Sequence, residues 1–219
     1  MTANEPFKHT PLDLAKNQIR LFKLGPTSPG GLLTGNIVVW DSEECPHYSA
    51  VSYTWGPPTP TRQISIEERN FTVRENLWHF LDASASYIDK WLWIDQICID
   101  QSAVDERNHQ VGLMAQIYEK AWQVLIWLGV EAHGSGEAID FINNRFHITA
   151  GPWITPKGIV SRRKKKVQIL FQRPYWYRLW ILQEILMAQR TLVLCGNKSF
   201  PWKTLEELFT PGGMDEGNE

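Results

Sequence analysis

RPYWYRLWILQEILMAQR, residues 173–190, is the stretch around which this chain is built. Taken as a helix, it carries apolar side chains on every side: Leu179, Trp180, Ile181, Leu182, Ile185, Leu186 and Met187. A helix that is apolar all round belongs in a protein interior. Gln183 and Glu184, near its middle, are polar groups that such a helix has no structural need for. Trp176, Trp180 and Glu184 are spaced four apart, so a helix puts them on one face as an aromatic strip leading to a carboxylate. A carboxylate in apolar surroundings is costly to ionise unless a partner offsets the desolvation. Glu184 is therefore a candidate for chemistry, and the competing reading is that it pairs with an arginine inside the core.

Outward from this stretch, towards the amino terminus, the chain alternates strand and helix. QVLIWLG (123–129) is a continuous apolar run ending in glycine, and HQVGLMAQIYEKAW before it is an amphipathic helix with Val111, Met114, Ile117, Tyr118 and Ala121 inward. WLWIDQICIDQ (91–101) is the apolar run of a strand covered on both faces, interrupted by Asp95. A helix over 74–84 buries Leu77, Phe80 and Leu81, and the strand HYSAVSYTWG (47–56) stops at Trp-Gly-Pro-Pro. Strand, helix, strand, helix, strand signals a parallel sheet. Ligand loops of such sheets lie beyond the carboxyl ends of the strands, which makes Ser52, Tyr53, Trp55, Gly56 and Asp95 candidate substrate contacts. Glu106, Arg107 and His109 read as solvated or capping residues.

Two hairpins precede or interrupt this pattern, one from 18–24 and 36–40 and one over 62–73 around an EERN turn. Residues 130–163 form an insertion ahead of the Glu184 helix, closed by a basic run, 161–166, that reads as a solvated helix start. TLVLCGN (191–197) is a fourth strand and SFPWKTLEELF a short helix. The expected organisation is a flexible lead-in, 1–17; an appended hairpin, 18–46; the α/β domain, 47–209; and a disordered tail, 210–219.

With 219 residues, 43% of them hydrophobic and 11 of them Trp, the chain can bury a large core. Its net charge of -2 argues against a surface built for nucleic acid. Cys45, Cys98 and Cys195 are odd in number and far apart, which points to a reducing, cytoplasmic setting; no run is long and apolar enough to span a membrane. Phosphate-loop, GxSxG and HExxH signatures are missing; Asp95, Asp100 and Gln101 hint at a hard divalent ion but have no His or Cys at ligand spacing, so that signal is weak and neither metal nor cofactor is expected.

SAVSYTWG, then WLWIDQICIDQSAVDERNHQVGLMAQIYEKAWQVLIWLG, then WYRLWILQE together resemble the HET (heterokaryon incompatibility) domain of filamentous fungi, over roughly residues 47–196. HET domains are similar in turn, more distantly, to TIR domains. The resemblance implies a TIR-like, flavodoxin-like parallel sheet flanked by helices and a cytosolic role in self/non-self recognition leading to cell death. NAD-cleaving TIR domains carry a WCxxE pattern whose Glu is catalytic; the matching positions here are Trp180, Ile181 in place of the Cys, and Glu184. On that analogy NAD is the candidate substrate and Glu184 the catalytic group, with Trp176 and Trp180 walling the nicotinamide. The alternatives are a non-enzymatic module that assembles with itself or with partner signalling proteins, and a nucleotide sensor without turnover.

Overall fold

The structure, a computed structural model, describes residues 5–85, 90–144, 162–178 and 181–209. Two antiparallel hairpins come first. β1 (Gln18–Leu24) pairs with β2 (Thr34–Asp41) in the register Gln18 to Asp41. After the fully buried β3 (Tyr48–Tyr53), β4 (Thr61–Ile66) pairs with β5 (Arg69–Arg74). The two-residue turn between β4 and β5 places Glu67 and Glu68 at φ of 51° and 64°. Both lie in the left-handed region that matches hairpin twist but strains a residue with a Cβ. Replacing Glu67-Glu68 by Asn-Gly should therefore stabilise the protein by about 1 kcal/mol, read as a rise in urea midpoint at unchanged slope.

The chain continues with α1 (Glu75–Ser84), β6 (Trp91–Trp93), α2 (Asp95–Cys98), α3 (Val104–Lys120) and β7 (Gln123–Trp127). Then come α4 (Ser135–Asn143), α5 (Arg162–Leu170), a 3-10 turn at Pro174–Tyr177, α6 (Ile181–Leu186), β8 (Thr191–Cys195), β9 (Lys198–Pro201) and α7 (Trp202–Phe209). The nine strands form one mixed sheet in the order β5-β4-β2-β1-β6-β3-β7-β8-β9. Its centre is parallel, with β3 between β6 and β7 and β8 beyond β7. Numbered along the chain, these four parallel strands stand in the order second, first, third, fourth. The α/β class is as expected, and β1 joins the hairpins to the parallel strands by pairing antiparallel with β6.

Four details differ from the sequence reading. The 91–101 run is not one strand: β6 ends at Trp93, Ile94 is still extended and Asp95 opens α2, so the Asp95 side chain sits at a helix start. The 173–190 stretch is not one helix either. Pro174 opens the 3-10 turn, Arg178 is extended (φ -78°, ψ 137°), and helical backbone is found again from Ile181. SFP belongs to β9, which pairs with β8 around Gly196 and Asn197.

The inward face of α3 also differs, being Glu106, Gln110, Ile117 and Tyr118, with Val111 exposed and Met114 half-buried. Glu106 goes inside because buried Arg20 forks it, at 2.6 Å and 2.8 Å. Arg20 also donates to the carbonyls of Cys98 and Thr10, tying the 5–13 segment, β1, α2 and α3 together. Burial opposes ionisation of Glu106, but the hydrogen bonds from Arg20 and from the Asp100 N–H outweigh it and hold its carboxyl below the ordinary range. A depressed carboxylate contributes stability above its unfolded value, about 4.3. That contribution is lost as pH falls through the folded value. Urea midpoints measured from neutral pH down past that value should fall less steeply in Glu106→Gln than in the wild type.

Candidate functional site at the carboxyl ends of the parallel strands

β3 ends at Ser52 and Tyr53, β6 delivers Asp95, and β7 ends at Trp127 beside them. The first turn of α1 ties β3 to β7. Asn76 donates to the Thr54 carbonyl (2.6 Å) and accepts from the Trp127 indole (3.0 Å). Beyond β7 the chain turns at Gly129, φ 98°, a conformation that suits glycine. Arg173 fixes this loop by donating to the carbonyls of Leu128, Val130 and Ala132 and to the Ser135 hydroxyl.

Glu184 lies over the end of β3, 1% exposed. Arg178 forks its carboxylate, Nη1 to Oε2 at 3.0 Å and Nη2 to Oε1 at 2.8 Å, and Nη1 also reaches Ser52 Oγ at 3.1 Å. The Ser52 hydroxyl donates to the same carboxylate and stands 2.6 Å from the Tyr175 hydroxyl. The Arg178 guanidinium lies 5.5 Å from the Tyr175 ring. Burial disfavours the charged form of Arg178, but the Glu184 charge outweighs it and raises the guanidinium above its ordinary value. Burial, with the Glu184 charge adding to it, raises the Tyr175 phenol, so it stays neutral.

A second group centres on Asp95. The Trp55 indole donates to its Oδ2 at 2.6 Å and the Gln96 N–H to its Oδ1 at 2.7 Å. Arg74 stacks on Trp55, 4.8 Å from the ring, and donates to the Gly56 carbonyl at 2.7 Å. Burial raises the Asp95 carboxyl against the opposing hydrogen bonds of Trp55 and Tyr53 and the charge of Arg178. The Tyr53 phenol is raised well above its ordinary value by burial and by Asp95. The Tyr118 phenol is likewise raised well above its ordinary value by burial, with the Glu184 and Asp95 charges adding to it.

Of the residues singled out from sequence, Ser52, Tyr53, Trp55, Gly56, Asp95 and Glu184 come together. Trp176 does not share a face with Glu184, because the extended Arg178 breaks the helical spacing. Its indole donates to the Leu170 carbonyl, its ring packs on Phe171 and Trp202, and it lines a groove of about 880 Å³ with Ile185, Leu186 and Trp202. Glu184 is not among the residues lining that groove. Trp180 lies outside the described residues. Among the described residues, the aromatic groups near Glu184 are Tyr175 and Tyr118.

Arg178, Tyr175, Tyr118 and Arg74 are the members that sequence reasoning missed. Arg178 was in plain view, but six residues from Glu184 is not a contact distance on a continuous helix. Among the described residues no group of three or more His, Cys, Asp or Glu could hold a metal ion. Nor is any helix among them long and apolar enough to cross a membrane. The Cys98 thiol is buried and pushed up to about 12 by burial, so it is no nucleophile.

Comparison with known proteins agrees with the resemblance. The family model described as heterokaryon incompatibility protein (HET) matches residues 48–184, a span running from the first residue of β3 to Glu184 itself. The chain is 26% identical to heterokaryon incompatibility protein 6, OR allele, of Neurospora crassa, over an alignment covering 74% of this chain. It spans 31% of the length of that relative. No solved structure matches. With more than half of its length matched by the family model, the chain belongs to the heterokaryon incompatibility (HET) family.

Proposed function

We propose that this chain is the effector domain of a fungal incompatibility protein, acting in the cytosol to trigger cell death by cleaving the nicotinamide–ribose bond of NAD. The observation that carries the proposal is the position of Glu184, a carboxylate buried over the end of the central parallel strand. Burying an ion pair costs several kcal/mol per charge and is weak support for stability, so an apolar core would have served as well. The strand order supports it too: second, first, third, fourth is the order of flavodoxin-like sheets, TIR domains among them, which bind ligands beyond the carboxyl ends of the strands.

In the reaction the bond from ribose C1′ to the pyridinium nitrogen breaks, and its electron pair leaves with nicotinamide. The leaving group departs neutral and needs no proton, unlike the oxygen leaving groups that oblige other glycosidases to use two carboxylates. Glu184 stabilises the cation that develops on the ribose. Water adds to C1′ and gives up a proton, so the products are ADP-ribose, nicotinamide and one proton. Asp95, held by the Trp55 indole and the Gln96 N–H, accepts from the ribose hydroxyls in this reading.

One feature of the site favours a different role. Glu184 is sealed and forked by Arg178, as in a purely structural pair, which suits a non-enzymatic module that signals by assembly. Nicotinamide release from NAD, measured on monomeric and concentrated protein, separates the two. An enzyme predicts release by the wild type and a loss of about 100-fold or more in Glu184→Gln. A signalling module predicts no release from either protein and a change only in the melting temperature of the variant.

A further inference from the structure

We propose that Arg178 exchanges partners: it holds Glu184 in the empty protein and passes its fork to the diphosphate of an incoming dinucleotide, uncovering the carboxylate for the ribose. This rests on the assignment of Glu184 in the preceding section and adds how the site opens and which substrates open it. Arg178 is the solvent-side member of the pair, with its side chain 23% exposed against 1% for Glu184. An approaching ligand therefore meets the guanidinium first. The planar two-donor geometry that holds the carboxylate, 3.0 Å and 2.8 Å, also fits two phosphate oxygens.

Arg178 stands on extended backbone at the end of the 3-10 turn, outside any helix. When the fork departs, the Ser52 hydroxyl, itself bonded to Tyr175, still donates to Glu184, and the ribose hydroxyls replace the donors that Arg178 gave up. Arg74, stacked on Trp55 beside the Gly56 carbonyl, adds a second cation next to Asp95. A nucleoside lacking phosphates gives Arg178 nothing to exchange for.

Calorimetric titration of ADP-ribose, inorganic pyrophosphate and nicotinamide riboside into the wild type and Arg178→Lys tests this. Lysine keeps the charge and loses the fork. ADP-ribose and pyrophosphate should each bind the variant about tenfold or more weakly, and pyrophosphate should compete with ADP-ribose on the wild type. Any binding of nicotinamide riboside should be the same for both proteins. Should Arg178→Lys not fold, the competition on the wild type decides: mutually independent binding overturns the proposal. So does equal affinity of the two proteins for ADP-ribose, or absence of binding to the wild type. Turnover of NAD without Arg178-dependent diphosphate binding would remove the exchange and leave the enzyme; diphosphate binding without turnover would do the reverse.

Discussion

Arg178→Ala should lower folding stability by about 3–5 kcal/mol, because it leaves Glu184 charged, buried and short of its two strongest donors. A domain of ordinary stability holds only about 5–15 kcal/mol in reserve, so the variant will sit close to unfolding at room temperature. The loss is larger than removal of an exposed pair would cause, about 0–1 kcal/mol, because Glu184 is 1% exposed and cannot turn to water. Urea denaturation gives the number directly. A loss below about 1 kcal/mol would mean that the carboxylate reaches solvent once the arginine is gone.

Arg20→Ala should cost a similar amount, about 3–5 kcal/mol, for the same reason. Glu106 loses both arms of its fork, and the carbonyls of Cys98 and Thr10 lose a donor. Glu106 keeps only the Asp100 N–H, 2.8 Å away. The damage should spread to the 5–13 segment, whose Thr10 carbonyl is held by Arg20 and whose His9 ring sits on the Ile97 carbonyl. Limited proteolysis should then cut within that segment faster than in the wild type. An unchanged urea midpoint would show that the pair is dispensable.

The two arginines also show why sequence reasoning stopped where it did. Patterns of period two and continuous apolar runs between Gly and Pro made both hairpins, β3, β7, β8 and α1 legible, because each is decided by neighbours in the chain. The pairing of Arg20 with Glu106 spans 86 residues and that of Ser52 with Glu184 spans 132, and no local pattern carries such information. Glu106 therefore looks like a helix-surface residue.

Residues 173–190 failed differently. Their apolar residues are so dense that any helical phase fits, which hid the break at Pro174 and Arg178. That break moves Trp176 to the groove beside Trp202 and brings Arg178 onto Glu184. β9 was missed because four residues ending in proline carry too little pattern to separate a strand from the start of a helix. The candidate site was legible as far as strand ends and a lone carboxylate mark it. Its arginine and tyrosines were not, since they are assigned by three-dimensional contact alone.

The central claim is that the Glu184–Arg178 pair is kept for chemistry and not for stability, and the double variant Arg178→Met, Glu184→Leu tests it most directly. Replacing a buried ion pair by apolar side chains of similar volume is commonly neutral or stabilising by about 1–4 kcal/mol. The measurement is thermal unfolding and nicotinamide release from NAD on the same preparations. The predicted result is a variant that melts at or above the wild type and releases no nicotinamide while the wild type does. A variant that loses several kcal/mol, or one that matches the wild type in NAD turnover, would contradict the claim.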